Sequence, residues 1–111
     1  MKSSEIKFNI QLDDDRVPEK ITWDATEKGG NDLSETKALS ISLWDHKNKN
    51  TLSIDLWTKE MPVFDMKRFY IDSLGGLAQN ILKATGDEFM ATEMNDLCEK
   101  LVAYLEKNPD Q

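Results

Sequence analysis

The chain has one cysteine, Cys98, and one histidine, His46, in 111 residues. A single thiol cannot close an intramolecular disulfide, and a metal site built on paired thiolates is excluded with it. Basic charge is scarce: 14 Lys and Arg stand against 21 Asp and Glu, leaving a net charge of -7. No basic stripe is present to neutralise a phosphate backbone, so nucleic acid is not an expected partner. An anionic membrane surface is disfavoured for the same reason. Long apolar runs are missing too. None approaches the roughly 18–20 residues of a membrane span, so no membrane insertion is expected. The opening MKSSEIKFNIQL alternates in polarity and lacks the apolar stretch of an export signal. A reducing compartment, the cytoplasm, is the expected location.

The strongest pattern that is present lies at 39–62, LSISLWDHKNKNTLSIDLWTKEMP. Leu39, Ile41 and Leu43 alternate with polar residues, as do Leu52, Ile54 and Leu56. Period-two alternation marks half-buried strands. The polar segment from His46 to Lys49 makes a four-residue hairpin loop, which pairs Asp45 with Asn50, Leu43 with Leu52, Ile41 with Ile54 and Leu39 with Leu56. All six aliphatics then share one face, and a one-residue slip would lose that burial. Trp44 and Trp57 fall on the other face, among Ser, Thr and Asp.

Upstream, Ile6, Phe8, Ile10 and Leu12 alternate as a first strand, and Ile21, Trp23 and Ala25 as a short second one. Asp13-Asp14-Asp15 and Pro18 mark a turn between them. Three aspartates invite a calcium reading, but Pro18 breaks the alternating ligand spacing that an EF-hand loop needs. TEKGGNDLSET, at 26–36, reads as a loop; its Gly29-Gly30 pair lacks the Lys-Ser/Thr of a phosphate loop.

After the hairpin, Met61-Pro62 opens a helix, with Pro62 suited to its first position. Val63, Met66, Tyr70, Leu74, Leu77, Ala78 and Ile81 recur at helical steps and predict a core stripe. Phe64, Phe69, Ile71 and Leu82 lie off it, and Gly75-Gly76 predicts a bend or a close backbone approach. Thr85-Gly86 ends this helix and Asp87 caps the next. There Met90, Met94, Leu97, Leu101 and Tyr104 form the predicted core stripe, widened by Phe89, Cys98, Val102 and Leu105; Pro109 closes the chain.

The order β-β-β-β-α-α predicts the α+β class in a single domain, 1–111. It takes the form of a four-stranded antiparallel β-sheet followed by two long antiparallel α-helices packed on one face. No catalytic set emerges. His46 sits in a loop tip, and Cys98 lies beside Leu97 and Glu99 on an apolar stripe, where a thiol acts as a small hydrophobe. No enzyme activity, cofactor or metal site is expected. The surplus apolar side chains point instead to contact with proteins. Either the 26–36 loop folds over the two indoles, or Trp44 and Trp57, with Phe64, Phe69 and Ile71, form a protein-interaction surface. The interface is the reading preferred here, with self-association alongside it.

SEIKFNIQLDDDRVPEKITW and LSISLWDHKNKNTLSIDLWTKEMPVFDMKRFY resemble the GldC family of gliding-motility proteins of Bacteroidetes-type bacteria. The most specific pieces are Pro18-Glu19-Lys20-Ile21-Thr22-Trp23, Leu43-Trp44-Asp45, and Ile54-Asp55-Leu56-Trp57-Thr58-Lys59 followed by Met61-Pro62-Val63. The resemblance implies an accessory role in gliding; with the lack of catalytic groups and the placement of Trp44 and Trp57, the leading expectation is a non-enzymatic adaptor or assembly factor. Its partners would be proteins of the gliding or envelope secretion machinery. A second expectation is a holdase similar to SecB-type export chaperones, by analogy of element order. A third is a small-molecule pocket between sheet and helices, using Tyr70 or Cys98.

Overall fold

The first alternating run forms β1 (Ile6–Leu12), antiparallel to β2 (Pro18–Ala25), in the computed structural model, which describes residues 2–27 and 33–108. Phe8 pairs with Trp23 and Ile10 with Ile21, so these four share a face. Ile21 is fully buried, whereas Ile6 at the open end of the ladder remains 69% exposed. Pro18 is the first residue of β2, a place where its missing N–H is tolerated. A register shift at Gln11 and Leu12 lets Leu12 pair with it. A third strand, β3 (Ser34–Thr36), adds to β2, with Thr36 opposite Ile21 and Ser34 opposite Trp23. The expected loop is thus strand at its end. Gly29-Gly30 lies outside the described residues, as does Pro109.

β4 (Ala38–Asp45) and β5 (Asn50–Trp57) form the hairpin in the expected register, from Leu39 opposite Leu56 to Asp45 opposite Asn50. In the turn, the Lys49 N–H donates to Asp45 O at 2.9 Å, and Lys49 takes a left-handed φ of 56°. This hairpin is a sheet of its own. The single four-stranded sheet is therefore corrected to a three-stranded sheet, β1-β2-β3, and a two-stranded one, β4-β5. The reason is local: only Lys37 separates β3 from β4, one residue short of the shortest common hairpin loop, so β4 cannot fold back on β3.

Four contacts just after β5 tie the two sheets. The Thr58 N–H donates to Lys37 O (2.9 Å), and the Lys59 N–H to Pro18 O (3.2 Å). Lys59 Nζ reaches Asp13 Oδ2 at 3.0 Å and Glu19 at 4.0 Å. Asp13 Oδ1 accepts from the Asp15 and Val17 N–H groups at 2.8 and 3.0 Å. This carboxylate therefore closes the β1–β2 turn, in which Arg16 adopts φ 66°, and holds the segment leaving β5. The Val17 N–H, then Lys59, keep the Asp13 carboxyl below the usual range. Preceding Lys59 in the chain, Thr58 is 1% exposed, and its hydroxyl has no hydrogen-bond partner among the described residues.

The chain divides into two units, Met1–Met61 and Pro62–Gln111. In the second, α1 (Val63–Thr85) and α2 (Glu88–Lys107) form an antiparallel hairpin. Pro62 is the N-cap of α1, one residue earlier than expected. Gly86, at φ 74°, closes α1 by donating its N–H to Leu82 O at 2.8 Å. Asp87 caps α2 by accepting from the Met90 N–H at 2.9 Å. α1 runs unbroken through Gly75-Gly76. A Cβ on Gly75 would lie 3.9 Å from Cys98 Sγ, an ordinary contact. Cys98 Sγ also lies 3.8 Å from Ile71 O, which sets this side chain against α1.

Two outcomes follow. Thr58→Val keeps the shape and removes a buried unpaired hydroxyl, so it should stabilise by about 1 kcal/mol and raise the melting temperature by about 4–8 °C. Asp13, held low in the folded state, supports stability fully above the ordinary carboxylate pKa of about 4. That contribution is lost as pH falls from there toward the lowered value. Urea midpoints measured from pH 5 down to 2 should fall less steeply for Asp13→Asn than for the parent. Glu35, held low by Lys37, supplies part of the slope that remains.

Candidate functional site

Alternation in the β4–β5 ribbon sets which side chains share a face. Trp44 pairs with Thr51 and Trp57 with Ala38, which puts both indoles on the face that carries Ser40, Ser42, Ser53 and Asp55. Both are exposed, Trp44 by 64% and Trp57 by 51%. They stand six register positions apart, roughly 20 Å at about 3.3 Å per residue. Trp44 is next to the turn, and Trp57 is at the end tied by Lys59. One small ligand cannot span them; an extended protein surface can.

Trp57 is the better framed of the two. It lines a recess of about 270 Å³ with Arg16, Val17, Pro18, Asp55 and Leu56. The β1–β2 turn supplies Arg16 and Val17, β2 supplies Pro18, and the Asp13 carboxylate holds that turn. The recess thus pairs an apolar wall with one cation and one anion at its edge, a chemistry suited to a peptide segment carrying an aromatic or aliphatic anchor. The opposite face of the ribbon is not fully covered either. Leu39 is buried and Ile41 and Leu56 are half-buried, but Leu43, Leu52 and Ile54 are about half exposed.

The other three candidates lie on α1. Phe64 is 38% exposed, in the first turn. Phe69 is half-buried and packs its ring on Tyr70, centroids 5.3 Å apart at 60°. Ile71 is half-buried, against Cys98, Leu101 and Leu105 of α2. It belongs to the α1–α2 seam, not to a face turned away from it. Cys98 shares that seam, and His46 sits in the exposed hairpin turn.

The helix stripes divide differently from the sequence expectation. The buried residues are Ala78 on α1 and Ala91 and Leu105 on α2, with Ile71, Leu74, Ile81, Met94, Cys98 and Leu101 half-buried. Val63, Tyr70 and Leu77 of the expected α1 stripe, and Met90, Leu97 and Tyr104 of the α2 stripe, are 42–64% exposed. The signal for the true seam was present in the heptad 91, 98, 105, whose small residues, alanine and cysteine, let the helices approach.

Compared with known proteins, residues 18–107 match the family model of Gliding motility-associated protein GldC-like. No curated protein and no solved structure matches the chain.

Seam and surface are separable by stability. Ile71→Ala should cost about 1–2 kcal/mol, less than a fully buried Ile because the site is half-buried. Trp44→Ala should stay within about 0.5 kcal/mol, as expected for an exposed side chain. Chemical denaturation of the two variants checks both values.

Proposed function

The chain belongs to the GldC-like family of gliding motility-associated proteins, and from that premise we propose that it is a non-enzymatic adaptor or assembly factor of the gliding apparatus. It binds protein partners of the gliding or envelope secretion machinery, and residues 1–111 act as one functional domain. The observation that carries this reading is the exposure of Trp44 and Trp57 on one ribbon face, far enough apart to engage an extended partner surface. Tryptophan buries a large area with few rotatable bonds, which is why it dominates binding hot spots. Phe64 and Phe69 add apolar area on the helical unit. The proposed compartment is the cytoplasm, where a lone thiol such as Cys98 stays reduced.

A second reading, a holdase for envelope proteins, draws support from exposed large apolar residues in both units, Leu43 and Ile54 in one and Phe89 at 74% in the other. A holdase spreads client binding over many such residues. An adaptor concentrates it at a few anchors.

That difference sets the experiment. In a gliding bacterium deleted for this protein, the parent chain should restore surface movement. Trp44→Ala with Trp57→Ala should not, at equal protein level and with an unchanged circular dichroism spectrum. Full movement with both indoles removed would defeat the adaptor reading. Suppression of aggregation of an unfolded client by the double variant would then favour the holdase.

A further inference from the structure

The α1–α2 hairpin carries two apolar rows that its own seam does not use. Val63, Tyr70 and Leu77 repeat at seven-residue intervals along α1, and Met90, Leu97 and Tyr104 do the same along α2. All six are 42–64% exposed. Seven-residue spacing keeps a row on one side of a helix over several turns. The two rows flank apolar recesses of about 360 and 250 Å³. Leu77, Ile81, Met90 and Met94 contribute to the first, and Tyr70, Ile71, Leu101 and Tyr104 to the second. Ridges beside grooves are the relief that a second helical layer packs against.

The geometry points to a second copy of this chain as the occupant, joined through this face in a four-helix bundle with a two-fold axis at Leu97. Area is the first argument. Six side chains that are each about half exposed offer on the order of 100 Å² apiece, so about 600 Å² per copy and about 1,200 Å² per pair. That reaches the range of specific interfaces from anchors alone. Charge is the second. A chain of net charge -7 repels its copies over most of its surface, yet Lys67 lines one recess and Lys100 and Glu93 follow the α2 row. Antiparallel apposition of α2 on its copy about Leu97 sets Met90 over Tyr104 of the copy, and Glu93 beside Lys100 of the copy. The same two contacts then occur twice, as an isologous interface requires. The Met and Tyr content of the rows is that of an interface core.

This surface lies on different residues from the tryptophan face, so either proposal can fail alone. The full chain, 12.7 kDa by sequence, should show a mass of about twice that by light scattering or sedimentation. Leu97→Glu should give the monomer mass with its helical circular dichroism retained. Glu93→Lys should weaken the dimer at least about tenfold, and Lys100→Glu added to it should restore the affinity. These two sites are exposed, so the charge pair decides the matter should Leu97→Glu fail to fold. A monomeric parent chain at about 100-fold above a micromolar dissociation constant would overturn the inference. So would a dimer whose affinity neither charge reversal changes. A monomer whose melting temperature falls with Leu97→Glu would mean that the face is covered within one chain.

Discussion

Two helices can hide only the rows of side chains that face each other, and a two-stranded ribbon has no second layer of its own. This constraint governs most of what the structure displays. The α1–α2 seam uses Ile71, Ala78, Ala91 and Leu105 and leaves the neighbouring rows outside. The β4–β5 ribbon buries Leu39 near its tied end and leaves Leu43 and Leu52 open near its turn. Among the described residues the buried apolar set is small: Ile21, Ala38, Leu39, Ala78, Ala91 and Leu105. Such a chain has apolar area to spare for contact with other molecules.

Where apolar burial is thin, polar ties carry more of the local order. The Asp13 carboxylate is engaged by two backbone N–H groups and by Lys59, so one side chain sets both the β1–β2 turn and the exit from β5. That turn is also one wall of the Trp57 recess. The candidate surface is therefore shaped by residues that never need touch a partner. Asp13 thus links one wall of the recess to the exit from β5.

The hairpin register was legible because alternation is a strictly local signal: Leu39 to Leu56 in steps of two admit one parity. The caps at Gly86 and Asp87 were legible for a similar reason, since each acts through its own backbone turn. β3 was not. Ser34-Glu35-Thr36 has no hydrophobic pattern and becomes a strand only because β2 offers it a free edge. The division into two sheets was hidden in a length, the single residue Lys37 between β3 and β4. The helix seam failed for a physical reason as well. Periodicity finds every apolar row on a helix, and it cannot say which row meets the partner helix. Large residues such as Leu77 and Leu97 outweighed Ala78, Ala91 and Cys98 in that pattern, although small residues are what close approach requires. For the candidate site, the placement of Trp44 and Trp57 on one ribbon face was readable from parity, while the membership of Ile71 in the seam was not.

Cys98 has a consequence of a practical kind. As the sole thiol, set 3.9 Å from where a Cβ of Gly75 would sit and close to Ile71 O, it lies on α2 against the middle of α1. A fluorophore or spin label coupled to this sulfur would sit at the α1–α2 seam, where Cys98 is half-buried. Its signal reports on the packing between the two helices, so the native chain carries its own reporter position without any engineered residue.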